Sequence, residues 1–143
     1  MRVDEREAMI AVAHAHAAAE AEADIEQTMA TLGDDPVYEL QPIGLTLRGR
    51  AAAQGYYEHF FADFLPRVTG YDLRSEWVTD EGLGQEYVMY LRNEDGTSTR
   101  HPIIGILTFG VDGKLSGERL YASNELLEMM FKPVLDQATP TWP

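Results

Sequence analysis

The sequence contains no cysteine among its 143 residues. Disulfide bonds, thiolate metal sites and cysteine nucleophiles are therefore excluded. It also lacks a long apolar run, because no stretch approaches the roughly 18 apolar residues that a membrane-spanning helix needs. The N-terminal residues 1–7 are charged and have no apolar signal region behind them, so we expect a cytoplasmic location and no membrane contact.

Basic residues are scarce: 11 Lys and Arg stand against 24 Asp and Glu, which gives a net charge of −13. Nucleic acids and anionic lipids bind through positive charge, so we expect neither as a partner. The other composition is ordinary, with 45% hydrophobic and 24% charged residues. A chain of this length and composition predicts one domain with its own core, spanning residues 1–143.

Several catalytic motifs are absent from the sequence. It has no Gly-x-Ser-x-Gly motif, no glycine-rich phosphate loop and no dinucleotide fingerprint, so we expect no cofactor. His14 and His16 invite a metal interpretation. Residues two apart on a helix point about 200° apart, however, so both rings cannot hold one ion and we expect no metal site.

The first half of the chain predicts three helices. Residues 4–23 are rich in Ala and Glu, with an apolar face that includes His16, while Glu20 is expected in solvent. Asp24 can cap a second helix over 25–32, which Gly33 would close in the left-handed conformation. A third helix is predicted over 51–65, followed by a proline.

The other segments predict strands. Short strands are expected at 37–40 and 45–47, and longer ones at 71–79, 85–92, 97–109 and 115–123. A short C-terminal helix or turn is expected over 124–135. Residues 138–143 are expected to form a loose tail.

The dipeptide Asp112-Gly113 predicts a two-residue hairpin loop, which fixes a strand register. Val111 would pair with Lys114, so Leu107 lies opposite Glu118 and Gly105 opposite Leu120. Side chains alternate across a strand, which separates two faces. The first carries His101, Ile103, Gly105, Leu107, Phe109, Ser116, Glu118, Leu120 and Ala122.

The opposite face carries Ile104, Ile106, Thr108, Arg119 and Tyr121. Both faces are largely apolar, so one is expected to line a pocket and the other to form a homodimer around Ile104, Ile106 and Tyr121. A slip of one residue would exchange the faces and bring Arg119 and Tyr121 into the pocket.

This order of elements over about residues 9–127 resembles the nuclear transport factor 2 (NTF2) superfamily, in its SnoaL-like and ketosteroid-isomerase-like branch. The resemblance implies an α+β fold shaped like a cone. A curved, mostly antiparallel sheet would wrap around the N-terminal helices and enclose a mostly apolar pocket.

The resemblance also implies positions for site residues. In ketosteroid isomerases a tyrosine on helix one donates to the oxyanion, eight residues before the Asp that opens helix two; His16 stands there, eight before Asp24. Tyr57 matches a second tyrosine of that network. Leu40 and Gly105 stand where the family has its general base and its second, acidic donor. Both carboxylates are missing, so that isomerase mechanism is not expected.

The residues themselves suggest a different set of catalytic groups. An unperturbed histidine titrates near pH 6.5, so His16 suits acid–base work, with a hydrogen-bonded core histidine as the alternative. Tyr57 would need a buried partner, which His16 supplies. Glu118 lies on an apolar strand face, where burial would raise its pKa toward neutrality. The alternative is a surface glutamate paired with Arg92 or Arg100.

His101 shares the predicted face of Glu118, nearer the rim, and is the other candidate for moving a proton. The pocket wall is expected to consist of apolar and aromatic side chains around these groups. The predicted ligand-binding residues are Tyr38, Leu40, Trp77, Tyr87, Met89, Ile103, Gly105 and Leu120.

The sequence therefore predicts an enzyme that works by acid–base chemistry on an apolar small molecule, without a cofactor. Isomerisation, cyclisation or dehydration next to a carbonyl is the expected reaction type, and the resemblance implies polyketide-, terpenoid- or steroid-like substrates. The alternative is a dimer that binds such a molecule without catalysis. The orientation of Glu118 distinguishes the two, because an inward carboxylate favours chemistry.

Overall fold

The computed structural model describes residues 2–143. The helices are α1 (Val3–Ala21), α2 (Ile25–Ala30), α3 (Arg50–His59) and α4 (Asn124–Phe131). The strands are β1 (Leu32–Gln41), β2 (Leu45–Arg48), β3 (Val68–Thr79), β4 (Gly82–Arg92), β5 (Ser98–Phe109), β6 (Leu115–Tyr121) and β7 (Thr139–Pro140). A π-helical turn (Phe60–Phe64) and two 3₁₀ turns (Leu65–Arg67 and Lys132–Gln137) complete the described elements.

The strands of the described residues form one sheet in the order β3-β4-β5-β6-β1-β2-β7. Neighbouring strands are antiparallel except β1 and β6, which run parallel. The helices pack against one face of this curved sheet, and the core lies between them; Leu40 of β1 and Leu127 of α4 are fully buried there. The predicted α+β cone is confirmed.

We call the sheet face that carries Gly105, Leu107, Glu118 and Leu120 the inner face, and the opposite one the outer face. The predicted register holds around Glu118, because Leu107 pairs with Glu118 and Gly105 pairs with Leu120. On the outer face, Ile104 and Tyr121 pair with each other and are 38% and 43% exposed.

The turn that leads into this hairpin differs from the prediction. Gly110 and Lys114 close a longer loop, with the Gly110 amide donating to the Lys114 carbonyl at 2.9 Å, so Val111 does not pair with Lys114. A bulge after Leu115 then restores the register. The bulge turns Ser116 to the outer face, where its hydroxyl donates to the Thr108 hydroxyl at 2.8 Å, so Ser116 is not on the predicted face.

The second helix is shorter than predicted. Asp24 caps it, since its carboxylate accepts from the Gln27 amide at 3.0 Å. The helix ends at Ala30, and Gly33 lies inside β1 with no left-handed conformation. The physical reason is the partner strand: Leu32 pairs with β6 and is buried, which extends the chain at the point where a cap was expected.

The third helix also ends early. It continues past His59 as the π-helical turn, and the proline lies in the 3₁₀ turn that follows. Phe60 and Phe64 of the π-helical turn are both buried, with ring centroids 5.4 Å apart. This turn thus adds two stacked rings to the core beside α3 and α4.

The segment 138–143 is not a loose tail. Thr139 and Pro140 pair with Thr46 and Leu45 of β2, and the hydroxyls of Thr46 and Thr141 lie 2.7 Å apart. Local composition missed this strand because its partner lies about 95 residues away in sequence. No helix of the described residues is long and apolar enough to cross a membrane.

Candidate active site

A cavity of about 340 Å³ lies between helix α1, the segment from α3 to the 3₁₀ turn Leu65–Arg67, and the inner face of strands β3 to β6. Helix α1 contributes Ala13, Ala17 and Ala21, whose short side chains leave the space open. Aromatic and aliphatic side chains form much of the other walls. Gln85, whose amide donates to Glu76 at 2.6 Å, and the half-exposed Tyr71 also line the cavity. The other polar groups fall into two sets.

The first set, which we call the partnered cluster, consists of His16, Glu20, Thr31, Tyr38 and Tyr57. His16 Nε2 lies 2.7 Å from Glu20 Oε1, and His16 Nδ1 lies 2.7 Å from the Thr31 hydroxyl. The Tyr57 hydroxyl is 3.2 Å from both Glu20 Oε1 and His16 Nε2, and 3.4 Å from the Tyr38 hydroxyl. Helices α1 and α3 and strand β1 meet in this cluster.

The proton positions in the partnered cluster follow from its acceptors. The Thr31 hydroxyl donates to the Thr28 carbonyl at 2.6 Å, so it accepts from His16 Nδ1. The other ring nitrogen faces the Glu20 carboxylate. Burial acts to lower the pKa of His16, but the charge and hydrogen bond of Glu20, helped by Glu118, outweigh it and raise the pKa above its ordinary value. Both nitrogens of His16 thus face acceptors, an arrangement that favours the imidazolium.

The buried phenols keep their protons. Burial raises the pKa of Tyr57 well above its usual range, with the Tyr38 hydroxyl and the Glu20 charge acting in the same direction. Burial likewise raises the pKa of Tyr38 and of Tyr56. At neutral pH these side chains are hydrogen-bond donors and do not act as bases.

Glu118 is a carboxyl group without a partner. It lies on β6 opposite Leu107, lines the cavity, and forms no hydrogen bond or ion pair with any residue of 2–143. Burial raises its pKa from 4.5 to about 7; the Glu20 charge adds to the increase and His16 opposes it. A carboxyl that titrates near neutrality is suited to accept and return a proton.

A glycine provides the space for this carboxyl. A Cβ built on Gly105 would lie 2.6 Å from Glu118 Oε1, closer than real Cβ contacts allow. The Glu118 carboxyl thus lies over the Gly105 backbone, in volume that any other residue would fill. The position that the resemblance matches to an acidic donor of ketosteroid isomerases here accommodates a carboxyl from the neighbouring strand.

Two phenols share this situation with Glu118. Tyr56 and Tyr87 line the cavity, and their hydroxyls form no hydrogen bond with residues 2–143. The Tyr56 ring is held by stacking on Phe131, with centroids 4.1 Å apart, and Tyr87 makes an edge contact with Tyr71 at 5.9 Å. We call Glu118, Tyr56 and Tyr87 the open cluster.

The structure brings many of the predicted site residues to one cavity. Its lining includes His16, Tyr87, Met89, Gly105, Glu118 and Leu120. Tyr38 and Tyr57 lie directly behind His16 in the partnered cluster. Leu40 and Ile103 are buried in the core and do not line the cavity.

His101 lies away from this cavity. It pairs with Met89 on the inner face, as the alternation predicts, but it stands four residues along β5 from Gly105, about 13 Å at the usual strand rise. Its Nε2 lies 2.8 Å from the Thr99 hydroxyl, and it lines a separate depression beside Pro42. Burial lowers the pKa of His101, so it is not charged at neutral pH.

Trp77 lies on the outer face, which corrects its prediction as a pocket residue. Its indole covers Gly84, where a Cβ would approach ring atoms to 2.3 Å. The reason is a bulge between Leu73 and Ser75, which reverses the alternation along β3. Leu73 therefore lines the cavity and Trp77 does not.

Two cavity residues, Glu20 and Tyr56, were not predicted as site residues. Glu20 was expected in solvent, but it lines the cavity and accepts from both His16 and Tyr57. Its spacing of four residues from His16 was the available signal, since such residues share a helix face. No sequence feature distinguished Tyr56 as a site residue, because it lies next to Tyr57 among several aromatic residues of the same helix.

His14 and His16 point to different surroundings. His14 is 62% exposed and lies 3.8 Å from Glu76, whereas His16 is buried. Among residues 2–143, no group of three or more His, Asp or Glu side chains is placed to hold a metal ion.

Comparison by sequence with family models and with curated proteins gives no match. Solved structures do match. The epoxide hydrolase/cyclase-like enzyme SalBIII, which acts in pyran ring formation in the polyether salinomycin, superposes with a TM-score of 0.66 at 17% identity, over 85% of this chain and 95% of that chain.

An NTF2-like protein from Burkholderia xenovorans gives a TM-score of 0.62 at 20% identity, over 82% of this chain and 84% of that chain. A protein with a ketosteroid isomerase-like fold from Catenulispora acidiphila, in complex with trimethylamine, gives 0.62 at 16% identity, over 85% and 92%. The chain therefore has the NTF2-like fold in its ketosteroid isomerase-like form, as the sequence predicts.

Proposed function

We propose that the protein is a cofactor-independent acid–base enzyme, of the isomerase, cyclase or dehydratase type, that acts on an apolar small molecule. The observation that carries this proposal is Glu118, a carboxyl without a partner whose pKa is about 7 and which faces an apolar cavity. Such a group is costly to bury and is suited to transfer a proton.

The substrate class follows from the cavity and from the resemblance. A cavity of about 340 Å³ with alanine, leucine, methionine and aromatic walls suits a compact ring system. Polyketide-, terpenoid- and steroid-like compounds belong to this class. The ring-forming reaction of the similarly folded SalBIII supports the cyclase type.

In this proposal Glu118 takes a proton from the carbon next to a carbonyl and returns it to another atom of the same molecule. The electron pair left on carbon moves to the carbonyl oxygen and back as the proton returns, so no other reactant is needed. His16 does not donate to the substrate, because Thr31 and Glu20 hold both of its nitrogens. It forms a fixed polar wall with Glu20 and Tyr57, and the charges of Glu20 and His16 influence the Glu118 pKa.

Exchange of α-protons tests this directly. Wild-type protein should exchange the α-protons of the bicyclic ketone β-tetralone with D₂O, which proton NMR follows. Glu118→Gln should retain the fold and lower the exchange rate about 10²–10⁴-fold, the usual contribution of an acid–base group. Glu39→Gln is the matched control, because Glu39 lies on the neighbouring strand and faces outward. Wild-type exchange rates in Glu118→Gln would refute the assignment.

A binding protein without catalysis is the second candidate. It is favoured by the complete pairing of His16, which leaves Glu118 as the chief free acid–base group among the described cavity residues. In that case the wild type would bind the ketone and exchange none of its protons. A cytoplasmic location belongs to both proposals.

We also propose that two chains associate through the outer face around Ile104, Ile106 and Tyr121. The inner face is covered by helices, whereas Ile104 and Tyr121 remain substantially exposed in one chain. Exposed apolar surface of this kind is typical of an interface, and a two-fold dimer would cover it.

A further inference from the structure

The open cluster contains two hydrogen-bond donors that no protein group satisfies. We propose that Tyr56 and Tyr87 bind the oxygen of an uncharged carbonyl compound, and that the cavity rejects anionic ligands. This inference deepens the proposed function by naming the charge class of the ligand and the residues that hold its oxygen. It rests on that function for the site, and its binding test does not require turnover.

The charges around the cavity exclude an anionic ligand. Of the described residues that line it, none is Lys or Arg, whereas Glu20 and Glu118 are both present. The lining cation is His16, and Glu20 already pairs with it at 2.7 Å. A carboxylate ligand would therefore lose its water, gain no counter-ion and lie near two acidic groups. The net charge of −13 opposes its approach as well.

The hydroxyls of Tyr56 and Tyr87 need a hydrogen-bond acceptor. When a ligand displaces water from the cavity, a hydroxyl that donates to no protein group needs an acceptor on the ligand, because a lost hydrogen bond is costly. Tyr56 is 7% exposed and Tyr87 is half-buried, and both line the cavity. A carbonyl oxygen has two lone pairs and no proton, so it can accept from both hydroxyls.

An ammonium ligand fits less well, although it would find a counter-ion in Glu118. An ammonium group donates and does not accept, so it would leave the hydroxyls of Tyr56 and Tyr87 unpaired. A neutral ketone satisfies these donors and places its α-carbon beside a carboxyl that can take the proton. The charge of the ligand that binds most tightly therefore distinguishes a site for a neutral ketone from a site for an ammonium group.

Three probes with one ring system test the charge class. Methyl naphthyl ketone, naphthylmethylammonium and naphthoate would be titrated by calorimetry into the full-length protein at neutral pH. We expect the ketone to bind at least about 10-fold more tightly than either ion, a difference that calorimetry measures well. Equal or tighter binding of naphthoate or of the ammonium, or no measurable binding of the ketone, would overturn the inference.

Single hydroxyl deletions test the residues. Tyr87→Phe and Tyr56→Phe should each weaken ketone binding about 2- to 10-fold, the usual effect of one neutral hydrogen bond. Naphthalene, which has no oxygen, should bind both variants as it binds wild type. Tyr90→Phe is the control, since the Tyr90 hydroxyl bonds Asp72 outside the cavity. Unchanged ketone affinity in both variants, or an equal loss of naphthalene affinity, would refute the assignment.

The two proposals fail separately. If Glu118→Gln retains proton exchange while the ketone preference and the effect of Tyr87→Phe persist, the role of Glu118 is wrong and the ligand class stands. If the preference is absent while Glu118→Gln abolishes exchange, the ligand class is wrong and the acid–base function stands.

Discussion

The partnered cluster and the open cluster line or adjoin one cavity, yet they differ in a simple respect. In the partnered cluster, His16, Glu20 and Tyr57 bond to one another, and Thr31 passes the last hydrogen bond to a backbone carbonyl. In the open cluster, the polar groups of Glu118 and its two phenols have no partner among the described residues.

This difference predicts which polar groups stabilise the fold and which take part in ligand binding or catalysis. A buried polar group that is fully paired stabilises the fold and is costly to disrupt. A buried group without a partner costs stability and is retained where a ligand or a reaction uses it. We therefore expect changes in the partnered cluster to lower stability, and changes in the open cluster to alter ligand binding or turnover.

The largest expected effect on stability comes from Glu118→Gln and depends on pH. Folding raises the pKa of Glu118 from 4.5 to about 7, so the native state holds this proton more tightly than the unfolded state. Wild-type stability should therefore fall as pH rises from about 4.5 to 7 and then level off. The variant lacks this loss, so it should become more stable than wild type by about 3 kcal/mol at pH 7 and above.

Urea unfolding of wild type and Glu118→Gln at a series of pH values measures this gap. A constant difference between pH 4.5 and 7 would show that Glu118 is not destabilised by burial, and the contrast between the clusters would disappear.

Breaking the partnered cluster should produce a loss of stability instead. His16→Leu leaves Glu20 without its cation and Thr31 without its donor, which should cost about 2 kcal/mol in the free energy of unfolding. His14→Leu on the same helix is the control, because His14 is exposed and should matter little. Equal unfolding free energies for the two variants would contradict the structural role of the cluster.

Gly105→Ala should disturb the open cluster while sparing the fold. The new methyl group would displace the Glu118 carboxyl, the flexible end of a side chain, so the loss should appear in proton exchange. A displacement of this kind should lower the exchange rate about 10-fold, since the carboxyl must be accurately placed. Gly70→Ala is the matched control, because a Cβ there meets nothing within 4 Å. Full exchange activity in Gly105→Ala would refute the positioning role of Gly105.

The smallest effect on the cavity is expected from the outer face. Ile104→Lys should break the proposed dimer and give the mass of one 16.0 kDa chain in light scattering at low micromolar concentration. Both clusters lie on the other side of the sheet, so ketone binding should stay within about 2-fold of wild type. A monomeric wild-type protein would remove the basis for the dimer.

Much of the fold could be predicted because its signals are local. The hairpin signal at Asp112-Gly113 predicted the pairing of Glu118 with Leu107, although a longer loop and a compensating bulge produce it. The family resemblance placed His16 at the cavity through its spacing from Asp24. The prediction that Trp77 faces the pocket was wrong because β3 contains a bulge. One inserted residue exchanges the two faces of a strand, and the composition of the strand does not reveal it.

The sequence by itself determined the element order, the inner and outer faces around Glu118 and the glycine opposite Leu120, because strand and helix periodicities are set by neighbouring residues. Only the tertiary structure decided which polar groups are paired. His16 meets Tyr57 across 41 residues, whereas Tyr56, one position away, finds no partner. Whether a buried group is satisfied depends on which distant elements pack against it, and that packing separates the partnered cluster from the open one.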